Sequence, residues 1–139
     1  MKISIRLSEK LHFIAKTRKF NDIHIDEPKT FHGTDLGPSS VEYVLIGIGG
    51  CLGSTLTFCL KKYDINIEDL EIIVDGTLSH SGPLKRLRLV KVDVKLYLTT
   101  KNTEKPKKID ECINNFKEHC VVSNSIINGL PIDVNVVHK

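Results

Sequence analysis

Cys51 lies in an uncharged stretch, Tyr43 to Leu60, among Gly47, Gly49, Gly50 and Gly53. A second cysteine, Cys120, follows an amphipathic helix pattern. A thiol set among small residues, with another at the end of a separate helix, suits redox chemistry better than structural crosslinking. The attacking species is the thiolate, which needs a nearby cation or helix end to lower its pKa. Such a thiolate can displace an alcohol from a hydroperoxide and become a sulfenic acid, which a second thiol then captures as a disulfide. That scheme needs two cysteines distant in sequence and near in space, with Cα atoms within roughly 7 Å for bridging. Free cysteine also serves as a small buried hydrophobe. Cys59, near the end of the apolar run, and Cys112, on an apolar helical stripe, are assigned that role.

The four cysteines show neither a C-x-x-C pair nor zinc-type spacing. The N-terminus, MKISIRLSEK, alternates polar and apolar residues and lacks the apolar block of a secretory signal. The expectation is therefore a cytoplasmic protein whose cysteines are mostly thiols, with any disulfide transient and functional.

A chain of 139 residues fits one domain, 1–139. Hydrophobic residues make up 40% and aromatic ones 6%, without tryptophan, so the core must be aliphatic. The net charge of +3 balances 20 basic against 17 acidic residues, with only short basic runs, which argues against a nucleic-acid partner. The 18-residue uncharged run reaches the lower limit of a membrane span. Its glycines, Ser54, Thr55 and Thr57 dilute it, and a helix without charge all round can be buried in protein instead; no membrane partner is expected.

The elements that must position the thiols follow from periodicity. Period-two alternation predicts strands over 2–7 and 11–15, with Ser8-Glu9-Lys10 as the turn, and a third over 22–26. Pro28, Gly33, Gly37 and Pro38 mark a loop from Glu27 to Ser40. Ser39 or Ser40 caps a long helix from Val41 to Tyr63. Strands follow over 69–79 and 86–99, with a phase slip at Leu89-Val90 that suggests a bulge. Pro106 opens an amphipathic helix carrying Ile109, Cys112, Ile113, Phe116 and Cys120 on its apolar side. Ser123 caps a short helix ending at Gly129, and 132–137 form a last strand. The order indicates an α+β fold. The long helix is too apolar to face water, so a homodimer that buries it is the expected assembly.

Two segments carry a resemblance. Asp35 to Cys51, with Gly37-Pro38, Glu42 and Gly49-Gly50-Cys51, resembles the G-P-x-x-x-E-L-L-L-A-A-L-G-x-C signature of the OsmC/Ohr family, the osmotically inducible and organic-hydroperoxide-resistance proteins. His119-Cys120-Val121-Val122-Ser123-Asn124-Ser125-Ile126 resembles its second motif, C-P-V-S-x-x-L. Tyr63 to Glu71 resembles the family's turn from helix to strand. Asp26-Glu27-Pro28 and His32-Gly33 resemble the loop before the first motif in its OsmC-like branch. The likeness spans nearly the whole chain after about residue 22.

The resemblance implies antiparallel sheets with a long buried central helix and a second amphipathic helix, intertwined into a homodimer with sites at the subunit interface. It implies thiol-dependent reduction of organic hydroperoxides in oxidative-stress defence, with Cys51 the peroxidatic and Cys120 the resolving residue. Dithiols such as lipoylated proteins would restore the thiols, and no metal or organic cofactor is implied. The family's peroxidases place a Glu ten residues before the first Cys and an Arg on the N-terminal strands. Here the tenth position is Val41, Glu42 stands nine before, and Arg18 is the candidate cation. Nine residues at ~100° each put Glu42 about half a turn from Cys51, which favours a role at the helix N-terminus. Val121 stands where the family has Pro. The competing reading is a redox-sensing or ligand-binding OsmC-like protein without fast peroxidase turnover; a third is a structural dimer with inert thiols.

Overall fold

The computed structural model describes residues 1–101 and 105–138. Ten elements run in the order β1 (Ser4–Glu9), β2 (His12–Thr17), β3 (Phe20–Ile25), a 3-10 turn (Lys29–Phe31), α1 (Ser40–Lys62), β4 (Ile67–Ser81), β5 (Arg86–Thr100), α2 (Pro106–Asn115), a second 3-10 turn (Phe116–His119) and α3 (Val121–Ile127). The fold is α+β, as the periodicity requires. The chain divides into two compact units, one of residues 1–46 with 78–90 and one of 47–77 with 91–139.

In the first unit, β1, β2 and β3 form an antiparallel meander, with Arg6 opposite Ile14 and Ile14 opposite His24. Its tight connections need left-handed backbone, which Lys10 (φ 45°) and Arg18 (φ 51°) supply. The first turn thus sits at Lys10-Leu11, slightly beyond the predicted Ser8-Glu9-Lys10. His12 and His24 stack with ring centroids 5.0 Å apart, and their Nε2 and Nδ1 atoms are 2.8 Å apart. Asp22 holds the far nitrogen of His24 at 3.1 Å. These histidines have no sequence signal, because only strand pairing brings them together.

The loop after β3 is organised by Asp26, which is 1% exposed. Burial opposes its charge, but the Thr34 hydroxyl and the amides of Leu36, Thr34 and Glu27 donate to the carboxylate and hold its pKa at about 2. Ser39 and Glu42 then form a reciprocal cap on α1. The Ser39 amide donates to Glu42 Oε2 at 2.7 Å, and the Glu42 amide donates to Ser39 Oγ at 3.3 Å.

The second unit is built on α1. Ile48, Leu52, Leu56 and Leu60 recur every four residues and form its core with Ile65, Cys112, Phe116 and Cys120. Leu60 is fully buried, a contribution of about 2–3 kcal/mol from its side chain alone. The helix stops in a Schellman turn: Ile65 N–H bonds Leu60 C=O, Asp64 N–H bonds Lys61 C=O, and Asp64 takes φ 55°. Ile65 and Leu60 supply the apolar contact that such turns favour. Gly49 matters for packing. A Cβ there would stand 2.7 Å from Val74 Cγ2 on β4, so only glycine lets α1 lie this close to the strand.

β4 and β5 pair as a two-stranded hairpin. On β5, Val92, Val94, Leu96 and Leu98 turn inward while Lys91, Asp93 and Lys95 stay exposed. The predicted phase slip is visible: Leu89 is half-buried, Val90 and Lys91 are both exposed, and the alternation resumes at Val92. By length and composition α1 is apolar enough to cross a membrane; here its buried stripe packs on β4 and α2 residues instead.

Two expectations fail. Residues 132–137 form no strand, because no strand among the described residues pairs with them. The last helix begins at Val121 rather than at Ser123, since Cys120, with extended φ −76° and ψ 106°, takes the capping position.

Candidate active site

Cys51, Thr55 and Cys59 recur every four residues along α1. Cys112 on α2, Phe116 at the start of the 3-10 turn and Cys120 just beyond that turn follow at the same sequence spacing. Four-residue spacing stacks side chains on one helical face. All six belong to the second unit. The two rows run in opposite directions, so Cys51 meets Cys120 and Cys59 meets Cys112.

Cys59 and Cys112 are joined by a disulfide with Cα atoms 5.7 Å apart. The assignment of both as inert core thiols is therefore corrected. Each has the burial expected of a core residue, Cys112 fully and Cys59 partly, but each also faces the other across the helix contact. Cys51 and Cys120 are the free thiols.

Cys120 is fully buried and closes the N-terminus of α3. Burial works against its ionisation. Hydrogen bonds outweigh it: the Ser123 hydroxyl, the Ser123 amide, the Cys51 thiol and the Val122 amide all favour the thiolate, and its pKa falls below the ordinary thiol value. In the protonated form the Cys120 thiol donates to Ser123 Oγ at 3.1 Å. Ser123, expected only as a cap, thus acts on sulfur. Cys51 is half-buried, and its own C=O accepts from Thr55 Oγ1 at 2.7 Å. The segment that carries Cys120 is pinned by Asn124 Nδ2 donating to Glu118 C=O at 2.8 Å.

The arrangement brings two free thiols together, one half-buried and one enclosed. Two neighbouring thiols of this kind can exchange a proton. Arg18 and Glu42 lie in the first unit. Arg18 occupies the β2–β3 turn, exposed, with its guanidinium carbon 5.4 Å from the Phe20 ring centroid. Glu42 is committed to the Ser39 cap, whose amide and hydroxyl lower its pKa. His119 is exposed beside Phe58 and Cys59. Among the described residues no three His, Cys, Asp or Glu side chains are grouped to hold a metal ion.

Comparison with known proteins places the fold. The fold matches an OsmC-like protein of Vibrio cholerae with a TM-score of 0.78 at 11% identity, covering 89% of this chain and 91% of that one. It matches an OsmC-like protein of Mycoplasma pneumoniae with a TM-score of 0.74 at 24% identity, covering 98% and 94%. An organic hydroperoxide resistance protein of Bacillus subtilis aligns with a TM-score of 0.60 at 23% identity, over 89% and 87%. No protein of curated function matches the sequence. Residues 33–135, which carry both free cysteines, match the family of OsmC-like proteins. The chain therefore belongs to the OsmC-like protein family.

Proposed function

We propose that the protein is a thiol peroxidase that reduces organic hydroperoxides in the cytoplasm as part of oxidative-stress defence. The observation that carries this reading is the Cys51 thiol held against a Cys120 sulfur whose ionisation is favoured. The similarity to an organic hydroperoxide resistance protein supports the substrate class.

The chemistry follows from the sharing of one proton. With Cys120 ionised, the Cys51 proton moves along the hydrogen bond to Cys120 and leaves Cys51 as the thiolate. Cys51, the more accessible sulfur, attacks the outer peroxide oxygen. The O–O bond breaks, the alcohol departs with a proton, and Cys51 becomes a sulfenic acid. Cys120 then attacks that sulfur, hydroxide leaves as water, and the Cys51–Cys120 disulfide forms. A dithiol reduces it by two exchange steps and becomes a disulfide itself. No metal or organic cofactor enters. Arg18 is assigned the thiolate-stabilising cation by the resemblance alone, and Glu42 the helix cap.

A homodimer is the proposed assembly. Ile132, Val134 and Val136 are 80%, 78% and 89% exposed, an apolar segment that a second copy would cover.

Steady-state turnover of cumene hydroperoxide with a dithiol tests the reading. Cys51→Ser should fall below about 1% of the wild-type rate; unchanged activity in that variant would overturn it. One observation favours a second reading, a redox sensor: the thiol with the favoured ionisation is the enclosed one. Stoichiometric oxidation without turnover would select it.

A further inference from the structure

We infer that Cys59–Cys112 is a second, separately addressable redox centre, opened by a small anionic thiol that enters the cleft beside Cys59. The cleft has a volume of about 460 Å³ and is lined by Thr55, Phe58, Cys59, Lys62, Tyr63 and His119, among others. It lies wholly in the second unit. The disulfide presents itself to this cleft unequally: Cys59 is half-buried and lines it, whereas Cys112 is fully enclosed. An incoming thiolate can reach only the Cys59 sulfur.

The charge of the cleft selects the thiol. Its acidic member, Glu111, is already engaged, by Lys108 Nζ at 2.6 Å and by the Tyr63 hydroxyl at 3.0 Å. Lys62 and His119 are exposed on the walls. A negative group on the thiol therefore meets the Lys62 ammonium, while Phe58, 74% exposed, offers an apolar wall.

The step balances. The thiolate RS⁻ attacks Cys59 Sγ, the bond to Cys112 breaks, and Cys112 leaves as a thiolate that takes a proton from solvent. The product is a mixed disulfide at Cys59. A second RS⁻ attacks the outer sulfur, RSSR departs, and Cys59 is released as a thiol. Two thiols are oxidised and one disulfide is reduced. The centre is separate from the Cys51–Cys120 site: the eight steps along α1 from Cys51 to Cys59 span about 12 Å at 1.5 Å per residue, too far for direct exchange between the pairs.

The inference does not depend on peroxidase activity, and its test does not read it. The native, air-oxidised protein is treated with 2-mercaptoethanesulfonate or with cysteamine, matched for thiolate concentration, trapped with N-ethylmaleimide and mapped by peptide mass spectrometry. Cys59 and Cys112 should become labelled while circular dichroism stays native. The anionic thiol should react about threefold faster, the scale of one exposed charge, and Lys62→Glu should reverse the order. In Cys112→Ser, the disulfide forms of the same two probes should modify Cys59 with the same preference. A pair that is reduced in air, resists both thiols until unfolding, reacts first at Cys112, or shows no charge preference in either experiment would overturn the inference.

Discussion

Cys51, in the middle of α1, helps hold the pKa of Cys120, the residue that caps α3, below the ordinary thiol value. Sixty-nine positions separate the two in sequence. Two antiparallel repeats of four underlie the contact: Cys51 and Cys59 are two such steps apart on α1, and Cys112 and Cys120 are two steps apart on the facing segment.

Ser123 tunes the ionisation of Cys120. It donates to the thiolate through both its hydroxyl and its amide, and Ser123→Ala removes only the first. The thiolate absorbance of the oxidised protein, with Cys59–Cys112 intact, should titrate with a component below the ordinary thiol range. In Ser123→Ala that component should move to higher pH, because a stabiliser of the charged form is lost. An unshifted titration would mean that the hydroxyl does not act on sulfur.

Asp26 makes the loop before α1 sensitive to acid. Its folded pKa, about 2, lies below the unfolded value, so its stabilisation is fully present above the unfolded value and is lost as pH falls toward 2. Thermal unfolding should be nearly flat from neutrality down to the ordinary carboxylate range, then fall. Asp26→Asn should lower the melting temperature near neutrality and flatten the acid limb, as differential scanning calorimetry would show.

At Gly49, α1 packs tightly on β4. Gly49→Val forces a branched side chain into the space of Val74 and should destabilise the protein by about 1–3 kcal/mol in urea unfolding. Gly50, whose Cβ direction is open, should accept Ala with no loss and a gain of up to about 1 kcal/mol from helix propensity.

The Cys59–Cys112 bond closes a loop with a sequence separation of 53. A loop of that length should stabilise the oxidised form by about 2–4 kcal/mol relative to Cys59→Ser/Cys112→Ser. Chemical denaturation of the two forms checks this. The double variant should keep the Cys51–Cys120 thiols, since Phe116 and the α1 leucines still hold the segment.

Much of this was legible in the chain itself. The three N-terminal strands, α1 and the β4–β5 hairpin follow from periodicity, and the slip after Leu89 was visible in the alternation. The two free cysteines were separable from the rest by the motifs around them. The Cys59–Cys112 bond was not. Both residues sit on apolar stripes, where a thiol and a core hydrophobe give the same pattern, and only tertiary register distinguishes them. The cap at Cys120 was missed because Ser123 is the stronger capping residue by type. The 132–137 segment alternates like a strand, yet a strand needs a neighbour, and periodicity does not reveal one.

The most direct test of the central claim is peptide mapping after one equivalent of cumene hydroperoxide is added to protein whose Cys51 and Cys120 are reduced. The account predicts one equivalent of cumyl alcohol, a new Cys51–Cys120 disulfide and an unaltered Cys59–Cys112 bond. Untouched hydroperoxide, or oxidation that leaves Cys51 and Cys120 unlinked, would contradict it.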